Sequence, residues 1–293
     1  MVEISGSIPA LVTPFRDGHV DEDVFRALID WQIDSGSAGL LPCGTTGEST
    51  TLTIAEHNHV VELAVQAARG RVPVLAGCGS NNTAVALEHI ESAARAGADV
   101  ALVVCPYYNK PGQRGLLAHF RHLADHGPLP ILIYNIPGRT GIDMTTATMA
   151  ELAAHPKIIG CKESTGDIDR VSEIRHLCGP SFRIFSGNDY MTLGVIAHGG
   201  CGGISVTANV APDLNAQLVN ACLAGDFRTA LALQDRLYPL HRALFTDASP
   251  GPTKYALAKL GRCAITTRLP VVEPSEQSKA AVDAALAHAG IQV

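Results

Sequence analysis

The sequence predicts an α/β fold of the closed (β/α)8 type, a TIM barrel, with a helical extension at its C-terminal end. The first observation is an alternation, in which short apolar runs rich in β-branched residues are each followed by a longer segment of helical period. The second is the number of such pairs, because eight follow one another within residues 1–225. Repeated strand–helix units form parallel sheets, and eight units match a closed barrel better than an open sheet.

Each predicted element begins or ends where the spacing of apolar residues along the sequence changes. Strands are assigned to short runs bounded by Gly or Pro, and helices to segments whose apolar residues recur three and four positions apart. The predicted strands are residues 8–12, 39–43, 73–77, 100–105, 131–135, 158–162, 183–186 and 203–206. The predicted helices are residues 21–35, 54–69, 83–96, 115–126, 145–154, 168–177, 190–197 and 212–224. In this assignment each strand leads into one helix.

A dinucleotide-binding fold is the main alternative for such a pattern, and the sequence argues against it. No GxGxxG motif follows the first strand, and no acidic residue stands where it would hold a ribose hydroxyl. Beyond residue 225 the strand signal fades and three further helical patterns follow. We therefore divide the chain into a barrel, residues 1–225, and a C-terminal helical extension, residues 226–293.

The composition restricts the classes of partner. The chain has 293 residues, a net charge of -6 and no run of Lys or Arg, so it lacks the basic surface that binds nucleic acid or anionic lipid. The N-terminal residues do not form a signal-peptide pattern, and no stretch is long and apolar enough to span a bilayer. We expect a soluble, cytoplasmic protein without a nucleic-acid or membrane partner.

The eight cysteines are dispersed and none forms a CxxC pair. This arrangement is typical of reduced thiols in the cytoplasm. Four of them lie in or beside apolar strand segments, where a thiol acts as a small buried hydrophobic group. These four are Cys43, Cys78, Cys105 and Cys161.

In a (β/α)8 barrel the active site lies at the C-terminal ends of the strands. Polar residues and glycines collect at six predicted strand ends. They are GTTGE at 44–48, PYYN at 106–109, YNIPGR at 134–139, CKES at 161–164, SGND at 186–189 and GGIS at 202–205. Candidate site residues are therefore sought in these segments.

Lys162 is the strongest candidate for a catalytic residue. By the period of two in a strand, Ile158, Gly160 and Lys162 share one face, which we expect to point into the barrel. Burial favours the neutral amine of a lysine, and a neutral amine can attack a carbonyl carbon to form a Schiff base. The alternative is a lysine paired with a carboxylate at the barrel mouth. Glu163 points to the opposite face, so we do not expect it to be that partner.

The GTTGE segment suggests a site for a small carboxylate. Thr45 and Thr46 offer hydroxyl donors between glycines, and a helix beginning just after them would add the positive end of its dipole. The alternative is an ordinary glycine-rich turn in which a threonine caps the helix.

Two further side chains complete the candidate set. Tyr134 ends the fifth strand, and its phenol can shuttle protons if a second hydroxyl relays them; a buried tyrosine bonded to a backbone carbonyl is the alternative. Arg139 follows Pro137 and Gly138 in a loop over the barrel mouth. There a guanidinium can bind a carboxylate through two hydrogen bonds, and the alternative is a surface arginine.

Metal and phosphate sites have less support. The 12 histidines form neither an HExxH helix nor a His-x-His strand motif, so we expect no metal ion. Residues 199–203 are rich in glycine, like the phosphate loops of some barrels, but no Lys or Arg lies nearby in the sequence.

Taken together, the strand-end segments resemble those of one known family. GTTGE, PYYNKP, YNIPGRTG, GCKESTG and GGISVTANVAP, in this order, are similar to the motifs of the dihydrodipicolinate synthase and N-acetylneuraminate lyase family. The likeness extends over essentially the whole chain, and the joint match is far more specific than any single motif. The sequence departs from the common pattern at Cys105 and Cys161 and at residues 249–252, and none of these departures removes a catalytic group.

The resemblance implies a lyase that condenses pyruvate with L-aspartate 4-semialdehyde in the diaminopimelate route to lysine. No cofactor is implied, because the protonated imine is itself the electron sink.

The resemblance implies that Lys162 forms the Schiff base. The implied proton relay consists of Tyr134, Thr45 and Tyr108, the last reaching across a subunit interface. The implied substrate-binding positions are Thr46 for the pyruvate carboxylate, Arg139 for the semialdehyde carboxylate, the backbone around Ile204, and Gly187. The implied assembly is a homotetramer of two tight dimers.

Two other functions stay open from the sequence. A pyruvate-dependent aldolase of the same family acting on a sugar acid or another 2-oxo acid would keep Lys162 and Tyr134, and Arg139 argues against it. A catalytically silent barrel that binds a small acid as a sensor or serves as a structural subunit would not need the lysine, tyrosine, threonine and arginine together.

The resemblance also bears on regulation by the end product. In regulated members of the family, lysine binds in a pocket at the dimer interface. Four residues match that pocket: Ser49, His57, Asn81 and Tyr107. Ile54 and Val85, however, stand where such members carry a histidine and a glutamate. We therefore expect lysine to inhibit weakly or not at all.

Overall fold

The computed structural model describes residues 3–293 and places a parallel sheet at the centre of the fold. The strands are β1 (Gly6–Pro9), β2 (Phe15–Arg16), β3 (His19–Val20), β4 (Leu75–Gly77), β5 (Val100–Val104), β6 (Ile131–Asn135), β7 (Ile158–Glu163), β8 (Arg183–Ser186) and β9 (Gly202–Ser205). Seven of them form one sheet in the order β1-β9-β8-β7-β6-β5-β4, and its pairings are parallel. The short β2 and β3 form a separate antiparallel pair that the sequence did not predict.

The sheet closes through the predicted second strand, residues 39–43. Leu41 bridges to Ala10 beside β1, and Leu40 bridges to Val74 beside β4, both in parallel orientation. The two edges of the seven-stranded sheet are thereby joined, and the predicted (β/α)8 barrel is confirmed. This segment is not a regular strand, because Cys43 has a φ of 55°, which ends the extended conformation.

Helices surround the sheet and continue beyond it. They are α1 (Glu22–Asp34), α2 (Ile54–Ala68), α3 (Thr83–Ala96), α4 (Gln113–His126), α5 (Pro137–Thr140), α6 (Thr146–Ala153), α7 (Asp169–Cys178), α8 (Thr192–Ala197), α9 (Pro212–Leu223), α10 (Phe227–Ala243), α11 (Gly251–Lys259) and α12 (Glu276–His288). The eight predicted helices are present, and α5 is an added turn between β6 and α6. Helix α2 begins with a reciprocal capping box between Thr53 and Glu56, a type of cap worth about 0.5–2 kcal/mol.

Strand β7 contains an irregularity that the period of two did not predict. Its pairing with β6 shifts between Ile158 and Gly160, which leaves Ile159 as an extra residue in β7. Ile158 consequently packs between the sheet and the helices, whereas Ile159 packs against the barrel interior. The prediction that Ile158 shares the face of Lys162 is therefore wrong. Lys162 follows the irregularity and still lies against Tyr134, a residue of the interior.

Two apolar layers hold the barrel together. The interior layer consists of side chains that the strands turn inward, among them Ile8, Leu41, Leu75, Leu102, Leu132, Phe185 and Ile204. A larger layer lies between the strands and the surrounding helices. Complete burial of one such Leu, Ile or Phe side chain contributes about 1.5–3 kcal/mol, so both layers fix the strand ends firmly.

The C-terminal extension, α10 to α12, shares its core with the barrel. One apolar cluster joins Leu28 of α1 and Leu218 of α9 to Leu240 of α10, Leu257 of α11 and Leu286 of α12. Because this cluster crosses the proposed boundary at residue 225, the extension packs as part of the same body as the barrel. Within residues 3–293, none of the helices has the length and apolar character needed to cross a membrane.

Candidate active site

A cavity of about 250 Å³ opens at the C-terminal end of the barrel. Thr45, Tyr107, Tyr134 and Arg139 line it, and they come from three segments that follow or end neighbouring strands of the barrel. The cavity therefore lies at the end of the fold where (β/α)8 barrels carry their active sites.

Lys162 lies one residue before the end of β7 and is only 6% exposed. Its Nζ atom is 4.1 Å from the centroid of the Tyr134 ring. Among residues 3–293, no carboxylate oxygen lies within 4.0 Å of this nitrogen. The alternative of a lysine paired with a carboxylate at the barrel mouth is therefore not what the structure contains.

Glu163, the next residue, points to the other side of the sheet, as predicted. Its Oε2 atom accepts a hydrogen bond from Nε of Arg170 at 3.1 Å, and its Oε1 atom accepts one from the backbone N–H of Thr165 at 2.8 Å. Asn135, at the end of β6, donates from Nδ2 to Asp143 at 2.8 Å. This network outside the barrel fixes the ends of β6 and β7, and with them the position of the lysine.

Gly187, directly after β8, keeps space beside the lysine. A Cβ atom at this position would lie 1.9 Å from Oγ of Ser164 and 3.1 Å from Cε of Lys162. A larger residue would require the side chain of Ser164 to turn away and the lysine to shift. Ser164 itself was not singled out from the sequence, although it stands in the CKES segment. Its Oγ atom is buried and has no hydrogen-bond partner among the described residues.

The GTTGE segment folds into a tight turn. The N–H of Gly47 donates to the carbonyl of Gly44 at 3.1 Å, and the N–H of Glu48 donates to the carbonyl of Thr45 at 3.1 Å. Glu48 has a φ of 54°, in the left-handed region that non-glycine residues rarely adopt. Thr45 lines the cavity, whereas Thr46 is 4% exposed and is not on its wall.

The relation of this turn to the following helix differs from the prediction. A short 3-10 turn, Ser49–Thr51, comes next, and α2 begins only at Ile54. The residue that caps α2 is Thr53. Neither candidate threonine is a helix cap, and the positive end of α2 does not follow directly after them. Both interpretations of the segment as a helix start are therefore wrong.

The side chains over the mouth divide into two groups. Arg139 lies in the helical turn α5, is exposed and lines the cavity. Tyr107 also lines the cavity, although the resemblance assigned it to the lysine pocket and its neighbour Tyr108 to the proton relay. Tyr108 is 89% exposed, has a φ of 69° and is not on the wall of the cavity. Within one chain, the structure does not bring Tyr108 to the other candidates.

Ile204 lies in the middle of β9, where it is 1% exposed and pairs with Ile8 of β1. The end of this strand is held from the side. Oδ2 of Asp189 accepts hydrogen bonds from the backbone N–H groups of Val206 and Thr207, both at 3.1 Å. Asp189 therefore holds the end of β9 in place, two and three residues beyond Ile204.

The cysteines beside the site are structural thiols. Burial raises the pKa of Cys105 to about 12 and raises the pKa of Cys43 and Cys161 well above the ordinary value. At neutral pH these groups are therefore protonated thiols, which are poor nucleophiles. The prediction that Cys43, Cys78, Cys105 and Cys161 are buried is confirmed. Within residues 3–293, no three His, Cys, Asp or Glu side chains come together as a possible metal site.

A closed parallel barrel with a buried lysine at a strand end, beside a cavity at the same end, defines a class of protein: the barrel enzymes in which a lysine amine attacks a carbonyl group. The comparisons with known proteins are more specific. The family model for the dihydrodipicolinate synthetase family matches residues 3–289. The chain belongs to this family, and it is a lyase.

Individual relatives agree over nearly the full length of the chain. The 4-hydroxy-tetrahydrodipicolinate synthase of Rhizorhabdus wittichii is 61% identical over 288 residues, which cover 98% of this chain and 99% of that protein. The enzyme of the same name from Zymomonas mobilis is 58% identical over 286 residues, which cover 97% of this chain and 98% of that protein. The crystal structure of dihydrodipicolinate synthase from Aquifex aeolicus superposes with a TM-score of 0.96 at 44% identity, covering 98% of this chain and 99% of that one.

Proposed function

We propose that the chain catalyses the reaction of its 4-hydroxy-tetrahydrodipicolinate synthase relatives, the condensation of pyruvate with L-aspartate 4-semialdehyde. The observation that carries the proposal is the environment of Lys162. Its amine is buried, faces the ring of Tyr134 instead of a carboxylate, and lies at the end of the barrel where the cavity opens. The ring of Tyr134 both contacts this amine and lines the cavity, so it connects the lysine to the open space.

In the first step, Nζ of Lys162 adds to C2 of pyruvate, and the carbonyl oxygen leaves as water. The product is an imine, whose protonated nitrogen draws electron density from C3. No further cofactor is required, because this nitrogen serves as the electron sink. Thr46 does not line the cavity, but it directly follows Thr45 in the turn that does, and we assign the pyruvate carboxylate to its hydroxyl and to the backbone of this turn. Gly187 and the backbone around Ile204 enclose the small methyl end.

In the second step, loss of a proton from C3 gives an enamine, whose C3 attacks the aldehyde carbon of the semialdehyde. The new alkoxide takes up a proton. The amino group of the semialdehyde then attacks C2, which closes the ring and releases Lys162. Tyr134 and Thr45 line the same cavity and act with Tyr108 as the relay that moves these protons.

Arg139 is the residue that selects the second substrate. It lies on the wall of the cavity, and among residues 3–293 its guanidinium forms no hydrogen bond or ion pair with another side chain. A charge-assisted hydrogen bond to a carboxylate is worth about 1.5–3 kcal/mol, which favours an acid over a neutral aldehyde.

We also propose a homotetramer of two tight dimers, in which Tyr108 enters the site of the partner subunit. A non-glycine residue in the left-handed region costs about 1–2 kcal/mol, and the exposed Tyr108 has no compensating burial in a single chain. A second surface supports further association. Phe227, Leu231 and Tyr238 lie on one face of α10 and are 42%, 54% and 48% exposed.

Reduction by borohydride in the presence of pyruvate tests the imine. We expect a stable added mass on the peptide that contains Lys162, and no label in the Lys162→Arg variant. Lys157→Arg, at the other end of the same strand, is the matched control and should keep the label. A label on another lysine, or none, contradicts the mechanism. Turnover with aspartate semialdehyde but not with sugar aldehydes distinguishes the proposed reaction from that of a sugar-acid aldolase.

A further inference from the structure

The turn that carries Thr45 and Thr46 is anchored by a buried ion pair to the C-terminal extension. Oε1 of Glu48 accepts a hydrogen bond from Nζ of Lys254 at 2.6 Å, although the two residues are 206 positions apart. Lys254 lies in α11 and is fully buried, and Glu48 is 3% exposed. A buried charge of either sign requires its partner, so the pair couples the two parts of the chain.

Both ends of the pair are held by further contacts. The second carboxylate oxygen of Glu48 accepts the backbone N–H of Arg268 at 2.8 Å, and Lys254 also donates to the carbonyl of Thr266 at 2.7 Å. The ring of Phe15 contacts both cations, with its centroid 4.3 Å from Nζ of Lys254 and 4.4 Å from Cζ of Arg268. The geometry of the pair is therefore determined from several sides.

The anchored residue is also the strained one. Glu48 has φ 54° and ψ 33°, and a left-handed non-glycine residue persists only where the surrounding structure holds it. Its backbone N–H closes the turn on the carbonyl of Thr45. The direction of the Glu48 side chain and the shape of the threonine turn are consequently linked through one residue.

We propose that the Lys254–Glu48 pair positions the threonine turn, so that the C-terminal extension sets how tightly the site holds the pyruvate carboxylate. This inference rests on the proposed function for its catalytic consequence. Both residues are positioning residues, because neither lines the cavity, and they act through Thr45 and Thr46.

Three variants separate positioning from stability. Lys254→Met and Glu48→Gln each break the pair and leave one buried group without its partner, whereas the double variant removes both charges. The matched control is Lys279→Met, which breaks a surface pair with Glu273 and Glu276 in the same extension. If Lys254→Met does not fold, Glu48→Gln, which has the same shape as the native residue, still tests the proposal.

The first measurement needs no substrate. Hydrogen exchange of the backbone amides of residues 45–49 should become about tenfold faster or more in the two single variants and in the double variant, and stay unchanged in Lys279→Met. Unchanged exchange in the paired variants overturns the proposal. Because this result does not depend on pyruvate, it stands whether or not the wild-type chain forms an imine.

The second measurement is steady-state kinetics well below the melting temperature of each variant. We expect the KM for pyruvate to rise about tenfold or more in the single variants, with the KM for the semialdehyde changed less than about threefold. In the double variant the melting temperature should recover, since no unpaired charge remains, but the KM for pyruvate should stay high. A KM that recovers together with the melting temperature would make the pair merely structural and overturn its positioning role.

Discussion

Nζ of Lys162 lies 4.1 Å from the centroid of the Tyr134 ring, and the two residues are register partners across β6 and β7. The contact depends on the register, because a shift by one residue would turn every side chain of β7 to the other face of the sheet. The extra residue at Ile159 comes before Gly160 and so leaves this pairing intact. The network of Glu163 and Arg170 on the outer face then fixes the register at the strand end.

Arg139→Ala should impair the second half of the reaction only. We expect kcat/KM for the semialdehyde to fall about 10- to 100-fold, since one charge-assisted contact is lost, while the yield of borohydride-trapped imine with pyruvate stays within about twofold. Arg139→Lys should recover part of the loss, because a lysine keeps the charge but not the planar pair of donors. An equal loss in trapping and in turnover would indicate a structural role for Arg139.

Gly187→Ala should abolish or strongly reduce imine formation. Its Cβ atom would lie 1.9 Å from Oγ of Ser164 and 3.1 Å from Cε of Lys162, so the lysine must move. Gly138→Ala is the matched control, because no atom lies within 4 Å of an added Cβ there. Trapping with pyruvate in both variants is the measurement. Normal trapping in Gly187→Ala would mean that the site tolerates a shift of the lysine.

Tyr108 should act in the site of a neighbouring subunit. We expect Tyr108→Phe and Lys162→Ala chains, each nearly inactive alone, to recover activity when they are mixed and allowed to exchange subunits. The recovery has a physical basis, since a mixed dimer contains one site with both an intact lysine and an intact tyrosine. Activity of the mixture equal to the sum of the separate variants would place Tyr108 elsewhere.

L-Lysine should inhibit weakly or not at all. Val85 lies half-buried on α3, where regulated members of the family carry a glutamate, and Ile54 is the exposed first residue of α2. A buried ammonium without its carboxylate partner loses roughly 100-fold or more in affinity. Val85→Glu should therefore raise the sensitivity to lysine in a steady-state assay, and Val85→Gln, similar in shape but uncharged, should not. Sub-millimolar inhibition of the unchanged chain would contradict this prediction.

Stability should fall between pH 6.5 and 4, in part because of His119. Burial lowers the pKa of His119 from 6.5 to about 4, and its Nδ1 atom is 2.9 Å from Oγ1 of Thr83. In this pH range the unfolded chain binds a proton that the folded chain excludes, so stability is lost as the pH falls. At pH 5 the loss is about 2 kcal/mol relative to pH 7.5. Urea denaturation at both values should show a smaller difference for His119→Gln than for His288→Gln, an exposed control on α12.

The sequence by itself determined the barrel and the position of its key lysine. The alternation of strand and helix patterns is a local property of the chain, so it predicts the eight strand–helix units. It also predicts which residues lie at strand ends, among them Lys162, Thr45, Tyr134 and Arg139. The motifs around these residues were also sufficient for the family, because each motif is a continuous segment.

Tertiary structure alone decided the features that join distant segments. The extra residue in β7, which turns Ile158 toward the helices, arises from the pairing of β7 with β6. The spacing of apolar residues along the sequence does not reveal it. The same holds for the contact between Gly187 and Ser164 and for the anchor of Glu48 on Lys254. These relationships depend on register and on packing between segments, whereas sequence periods report only the local conformation of the backbone.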